Sequence, residues 1–242
     1  MIVLAMDTAT SSTAVALCLA DGTTIERRDD PPAGAHPGHA TRLLTMAEGL
    51  LGESGIDWSQ VDRIAVGAGP GTFTGLRVGI ATARGLAQSL DVPLTPVSSL
   101  RTLAHGALAQ DDAIAAFDGV LAVIDARRGE VFATAYDHEE KELSSPRALA
   151  PQDLHSVLAE ACAEGASKRW LGLGDGAVRY RDQLERLGVE VPAEQSPLHL
   201  VSAAMICELG ARAETTPRSY MEVLPDYLRR PDAELTLEGA KR

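Results

Sequence analysis

The sequence predicts an α/β fold in which one βββαβα unit runs twice, with the second copy eroded. Three observations predict it. An apolar strand delivers an aspartate into a turn at Ile2-Val3-Leu4-Ala5-Met6-Asp7, and the same device recurs at Val120-Leu121-Ala122-Val123-Ile124-Asp125. Each is followed by a second strand, over 13–19 and 130–136. Helical and strand periodicities then alternate, the pattern of parallel strands joined by right-handed crossovers.

Element by element, residues 2–6 form an apolar run and 13–19 a second one after a polar turn. Asp21-Gly22 is a hairpin signal leading into 23–27, and 31–38 is a Pro/Gly loop. A helix spans about 39–51, with Leu43, Ala47, Leu50 and Leu51 on one stripe. A strand over 61–66, a glycine loop, a helix over 75–90, a strand over 92–97 and a helix capped by Ser98 or Ser99 complete the first lobe. In the second half, helices fit 151–163, 177–187 and 198–213, with strands at 170–173 and 189–191. The lobes are expected to be 1–105 (βββαβαβα) and 106–230, with the boundary in 105–118, where Gln110-Asp111-Asp112 begins a polar stretch. The short charged tail 231–242 is expected to be loosely held.

At 242 residues the chain can bury a core without staples. It has no apolar run near the roughly 18 residues that span a membrane. The first residues lack a basic stretch and are expected to be a strand rather than a signal peptide. Cys18, Cys162 and Cys207 are odd in number, far apart in sequence and set in apolar surroundings, which suits reduced thiols in a cytoplasmic protein. The net charge is −12. Phosphate contacts dominate nucleic-acid affinity, so this chain is a poor candidate for gripping RNA alone, though it suits an RNA-modifying assembly whose other subunits are basic. Aromatics make up only 4% of the residues, which argues against base-stacking platforms.

The most informative stretch is Gly67-Ala68-Gly69-Pro70-Gly71-Thr72-Phe73-Thr74-Gly75-Leu76-Arg77-Val78-Gly79, at a strand-to-helix junction. Its glycines permit backbone angles and close approaches closed to other residues. The helix beyond carries Gly75, Gly79, Ala83 and Ala87 at i, i+4, i+8 and i+12. Each interior glycine costs about 1 kcal/mol relative to alanine. Such a flat face is expected where another backbone packs directly against it. That backbone is either a partner's or the chain's own sheet, since helices of this class do bury a face on their sheet.

Asp7 and Asp125 are the candidate acid pair. Where two duplicated lobes face each other across a cleft, such carboxylates hold Mg²⁺ and orient phosphates, with a glycine hairpin beside each. Here Asp7 is followed by Thr8-Ala9-Thr10 and Asp125 by Ala126-Arg127-Arg128-Gly129, so the close-approach glycines are missing. Both are kept as weak nucleotide contacts, against the plainer role of turn-capping carboxylates. His36 and His39 bracket Pro37-Gly38 and cannot share a helical face as metal ligands, and no other metal spacing exists. There is no Gly-x-Ser-x-Gly, and Thr72 and Thr74 have no local base. The glycine loop lacks a Walker A lysine, and Gly172-Leu173-Gly174-Asp175-Gly176 reads as a tight turn more than a ligand loop.

Residues 69–79 closely resemble the signature of the bacterial TsaB (YeaZ) proteins. Supporting matches are Leu4-Ala5-Met6-Asp7-Thr8-Ala9-Thr10, Ile124-Asp125-Ala126-Arg127-Arg128-Gly129-Glu130-Val131-Phe132 and Tyr227-Leu228-Arg229-Arg230, in the family's order over nearly the whole chain. The resemblance implies a duplicated ribonuclease-H-like fold (actin/Hsp70/sugar-kinase, ASKHA) with an eroded second lobe. It implies a non-catalytic paralogue of TsaD in the synthesis of N6-threonylcarbamoyladenosine at position 37 of tRNA. TsaD would transfer threonylcarbamoyl from its adenylate, and this chain would pair with TsaD and help recruit the ATPase TsaE.

Carried onto this sequence, the pairing helices are 39–51, presenting His39, Leu43, Met46, Ala47 and Leu50, and 75–90, presenting Gly75, Arg77, Gly79, Ala83 and Ala87. The signature loop is Gly69, Pro70, Gly71, Thr72, Phe73 and Thr74. TsaD's iron-binding H-x-x-x-H has no counterpart, and no cofactor of its own is expected: ATP or ADP and metal belong to TsaD and TsaE. The expected partners are TsaD and TsaE, with tRNA met only through the complex, no membrane, and a homodimer when TsaD is absent. The competing reading is a stand-alone ATPase or kinase of the same fold, with Asp7 or Asp125 on Mg²⁺–ATP. A peptidase lacks both nucleophile pair and metal spacing.

Overall fold

The computed structural model describes residues 1–32, 35–110, 114–162, 168–212 and 219–229. The expected tail 231–242 and Asp111-Asp112 of the expected boundary lie outside the described residues.

Apolar runs buried on both faces build the central strands of two five-stranded sheets. The first contains β1 (Val3–Asp7), β2 (Thr13–Cys18), β3 (Thr24–Asp29), β4 (Arg63–Gly69) and β5 (Leu94–Ser98), in the order β3-β2-β1-β4-β5. β1 runs antiparallel to β2 and parallel to β4. The second contains β6 (Gly119–Arg127), β7 (Glu130–Tyr136), β8 (Arg147–Leu149), β9 (Trp170–Leu173) and β10 (Val189–Glu190), in the order β10-β9-β6-β7-β8. Read from the other edge, that is the same order. β6 takes the place of β1, antiparallel to β7 and parallel to β9. The fold is a duplicated ribonuclease-H-like one, as expected.

The erosion lies in length, not topology. The first half carries the helices α1 (His39–Ser54), α2 (Phe73–Leu90) and α3 (Ser99–Leu108). The helix expected over 151–163 is a 3₁₀ turn at Pro151–Asp153 followed by α4 (His155–Ala161). The one expected over 177–187 is broken at Tyr180 into α5 (Asp175–Arg179) and α6 (Arg181–Arg186). The one expected over 198–213 is a 3₁₀ turn at Pro197–His199 and then α7 (Ala203–Ala211). β8 was not anticipated, because three half-buried residues carry no readable period. Ser98 rather than Ser99 caps α3, its Oγ accepting from Arg101 N at 3.3 Å.

Three buried clusters hold the layers together. On one face of the first sheet, Leu4, Met6, Val15, Leu17, Ile64 and Val66 pack under α1 and α2. The opposite face offers small residues, Ala5, Ala14, Ala16 and Ala65, and these leave room for α7 to lie directly on the strands. Residues 203–211, expected within the second lobe, therefore pack on β1, β2 and β4 of the first sheet. Glu26 of β3 fixes the start of α7, accepting from Ala203 N and Ser202 Oγ at 2.8 Å each. The same cluster takes in α3 and the inner face of the second sheet through Ala122, Ile124, Phe132 and Tyr136, so the halves share one core. The third cluster lies under α4, α5 and α6 on the second sheet's outer face.

Candidate functional site

The signature loop runs from the end of β4 into α2 and wraps the turn that follows β1. Thr72 N donates to Ala9 O at 2.7 Å, and Gly71 is pressed so close to Ala9 that a side chain has no room. The Gly69–Pro70 peptide is cis. Past the loop, Thr8 Oγ1 donates to Gly75 O at 2.7 Å. A Cβ at Gly75 would overlap the Thr8 carbonyl oxygen, and one at Gly79 would overlap Thr8 Oγ1. Ala83 and Ala87 continue the same face into the core, fully buried.

This corrects the expected interface. The backbone lying flush against Gly75, Gly79, Ala83 and Ala87 is the chain's own β1 turn and sheet, so this face offers nothing to a partner. The stripe on α1 goes the same way, since Leu43, Ala47 and Leu50 are core residues. His39 is buried with Nδ1 at 2.9 Å from Thr13 Oγ1, and burial lowers its pKa and favours the neutral ring. Apolar stripes of this width are what docking on a sheet requires, and the sheet takes them. Only Met46, half-buried, and Arg77, exposed, reach the surface among the ten expected contacts.

The two carboxylates are likewise enclosed. Asp7 is 1% exposed; its Oδ2 accepts from Ala9 N at 3.0 Å, and Oδ1 has no hydrogen-bond partner among the described residues. Burial raises its pKa to about 7, with the Ala9 amide pulling the other way. Gly67 leaves the Asp7 carboxyl the space a side chain would fill. Asp125 is 5% exposed and accepts from Arg127 N at 2.9 Å, while its Oδ2 lies 3.1 Å from Arg127 Nη1 and 3.5 Å from Arg179 Nη1. Asp175 accepts from Asp125 N at 2.9 Å, and burial raises its pKa. The nucleotide contact expected of Asp7 and Asp125 thus meets two carboxyls closed in on their own turns. Among the described residues no group of three or more His, Cys, Asp or Glu is placed to hold a metal.

What the first lobe does expose is the opposite side of α2. Phe73 and Tyr227 are 44% and 38% exposed and stack with centroids 5.5 Å apart. The Arg77 guanidinium sits 3.6 Å above the Phe73 ring, and its Nε donates to Tyr227 Oη at 2.8 Å. Below them, Ala81, Arg84, Gly85 and Gln88 face Tyr220, Met221 and Pro225 across a groove of about 630 Å³. Met221 and Leu224 are each 66% exposed, and Leu44 on α1 is 49% exposed. This exposed surface of apolar and aromatic groups, bordered by Arg84 and Gln88, is a candidate contact surface. Sequence reasoning missed it, except for Arg77, expected as a contact, and Phe73, expected only as part of the signature loop. Low aromatic content hid the fact that Phe73, Tyr220 and Tyr227 gather in one place.

Comparison with known proteins agrees with the fold. The model of the family "TsaD: tRNA N6-adenosine threonylcarbamoyltransferase" matches residues 31–168, more than half of the chain. The tRNA threonylcarbamoyladenosine biosynthesis protein TsaB of Escherichia coli is 32% identical over 250 residues, covering 99% of both chains. The chain belongs to the TsaB family. The Bacillus subtilis TsaB is 29% identical to this TsaB-family chain, over 97% of it and 96% of the relative. The solved structure of YeaZ from Pseudomonas aeruginosa matches with a TM-score of 0.74 and 31% identity, over 94% of this chain and 99% of that one. No helix among the described residues is long and apolar enough to cross a membrane.

Proposed function

We propose that this chain is the non-catalytic scaffold subunit of the assembly that makes N6-threonylcarbamoyladenosine at position 37 of tRNA. In this reading it pairs with TsaD through the outer faces of α1 and α2 and helps recruit TsaE. Transfer of threonylcarbamoyl from its adenylate is left to TsaD. The chain works in the cytoplasm, binds no nucleotide or metal of its own, meets tRNA through the complex, and self-pairs over the same ridge when TsaD is absent. TsaB-family membership supports the tRNA pathway, and the TsaD family's match to residues 31–168 supports kinship with the proposed partner.

The observation that carries the scaffold reading is a contrast. Asp7 and Asp125, where an ATPase of this architecture would meet Mg²⁺ and phosphate, are sealed, while Phe73, Arg77, Ala81 and Tyr227 form an open ridge. The acidic balance of −12 fits a subunit that leaves phosphate gripping to others. The test is reconstituted tRNA modification with TsaD and its other partners, with and without this chain. Modification is expected only when the chain is present, and Asp7→Asn is expected to support it fully. Full modification without the chain, or its loss in a folded Asp7→Asn variant, contradicts the reading.

A further inference from the structure

The cysteines that are far apart in sequence are not all apart in space. β2 ends at Cys18, whose register partner on β1 is Val3. Cys207 is buried on α7, and its thiol donates to Val3 O at 3.2 Å and lies 3.6 Å from Ala16 O. Ala16 and Cys18, two residues apart on a strand, point to the same face of the sheet. That is the face α7 covers, and both cysteines pack in one apolar cluster. The Cys207 thiol therefore lies over the β1–β2 pair beside Val3, the register partner of Cys18. Cys18 Sγ is also 3.0 Å from Thr24 Oγ1 and is only half-buried, so a small oxidant can reach it.

We propose that Cys18 and Cys207 are an oxidisable thiol pair that closes to a disulfide under peroxide, with Cys18 reacting first and Cys207 resolving. The Cys18 thiolate attacks one peroxide oxygen, the O–O bond breaks, and the second oxygen leaves as water after taking up a proton. The Cys18 sulfenic acid is then attacked by Cys207, which forms the S–S bond and expels a second water. Two thiols lose two electrons and two protons, and one peroxide becomes two waters. The division of roles follows the surroundings. Hydrogen bonding to Cys207 holds the Cys18 pKa down to about 7, while burial pushes that of Cys207 up. A low-pKa, accessible thiol beside a buried resolving thiol is the arrangement of a redox-responsive pair. The bond would staple α7 to β2. α7 also carries Glu208, which lies 3.1 Å from His105 of α3, so the staple would tie down the core shared by both halves. Cys162 packs in the other cluster and serves as an internal control.

The test uses the full reduced chain exposed to stoichiometric hydrogen peroxide, then alkylated under denaturing conditions and digested. The expected result is a mass loss of about 2 Da, a linked Cys18–Cys207 peptide pair, an alkylated Cys162 and a Tm that rises and returns on reduction. Cys207→Ala should leave Cys18 trapped as a sulfenic acid by dimedone. In that variant native alkylation of Cys18 at pH 7 should slow about threefold, because the thiolate fraction falls while the remaining thiolate becomes more nucleophilic. Cys18→Ala should leave Cys207 unreactive in the native protein. Cys18 and Cys207 both fully alkylated after peroxide, or Cys18 overoxidised with Cys207 still free, would overturn the proposal.

Discussion

The turn after β1 and the turn after β6 start from the same device and reach different ends. After β1, Asp7-Thr8-Ala9 lies beneath an eighteen-residue helix, and Gly75 and Gly79 let that helix settle on Thr8. After β6, Asp125 lies beneath a helix of only five residues, approached through Gly176, and its turn swings Arg127 and Arg128 into solvent. In the first copy the carboxyl is sealed, with one oxygen lacking a partner among the described residues and a pKa of about 7. In the second its oxygens face the Arg127 amide and two guanidiniums. Strand order therefore survives duplication while the covering helix decides what the strand-end carboxylate meets. In neither copy is that carboxylate left open to a phosphate.

The sharpest way to break the comparison is to restore a side chain under the long helix. Gly75→Ala should destabilise the chain by about 3 kcal/mol, roughly 9 °C in Tm, because the Thr8 backbone must shift to admit the methyl. Thermal unfolding checks this, and an unchanged Tm would mean the first turn is not sealed as described.

The Asp7 pKa of about 7 lies above the roughly 3.9 of an unfolded aspartate, so the folded state binds the extra proton between them. Stability must then fall as pH rises from about 4 to about 7. Asp7→Asn removes that slope: little change is expected at pH 4, and a gain of roughly 4 kcal/mol at pH 8 in denaturant titrations. A variant that loses stability at pH 8 would mean the charged carboxylate is stabilised there. The smallest effect belongs to the outer face of α2. Gly85 has open space where a Cβ would stand, so Gly85→Ala should raise stability by about 0.5–1 kcal/mol, opposite in sign to Gly75→Ala.

The strand-aspartate device was legible because period and polarity fixed it, and its repetition carried the duplicated topology. The small-residue stripe was legible too, as a face against which some backbone must lie flat. Its spacing could not say whose backbone. Gly75 and Gly79 specify the size of their neighbour, and Thr8 of the same chain fills the place as well as a partner would. The position of α7, the gathering of Cys18 and Cys207 in one cluster and the return of Tyr227 to Arg77 all depend on contacts between distant residues. No local periodicity records such contacts. Helix breaks such as the one at Tyr180 were missed because the apolar pattern runs through them.

The proposed docking of a sister subunit uses the outer side of α2 and not the inner stripe. Ala81→Arg places a long charged side chain at the exposed centre of the groove while leaving the sheet contacts untouched. Size-exclusion chromatography of the purified variant mixed with TsaD, alongside its thermal unfolding, tests the claim directly. The predicted result is a folded chain, within about 0.5 kcal/mol of the parent, that no longer elutes with TsaD. A folded Ala81→Arg variant that co-elutes as the parent does would contradict it.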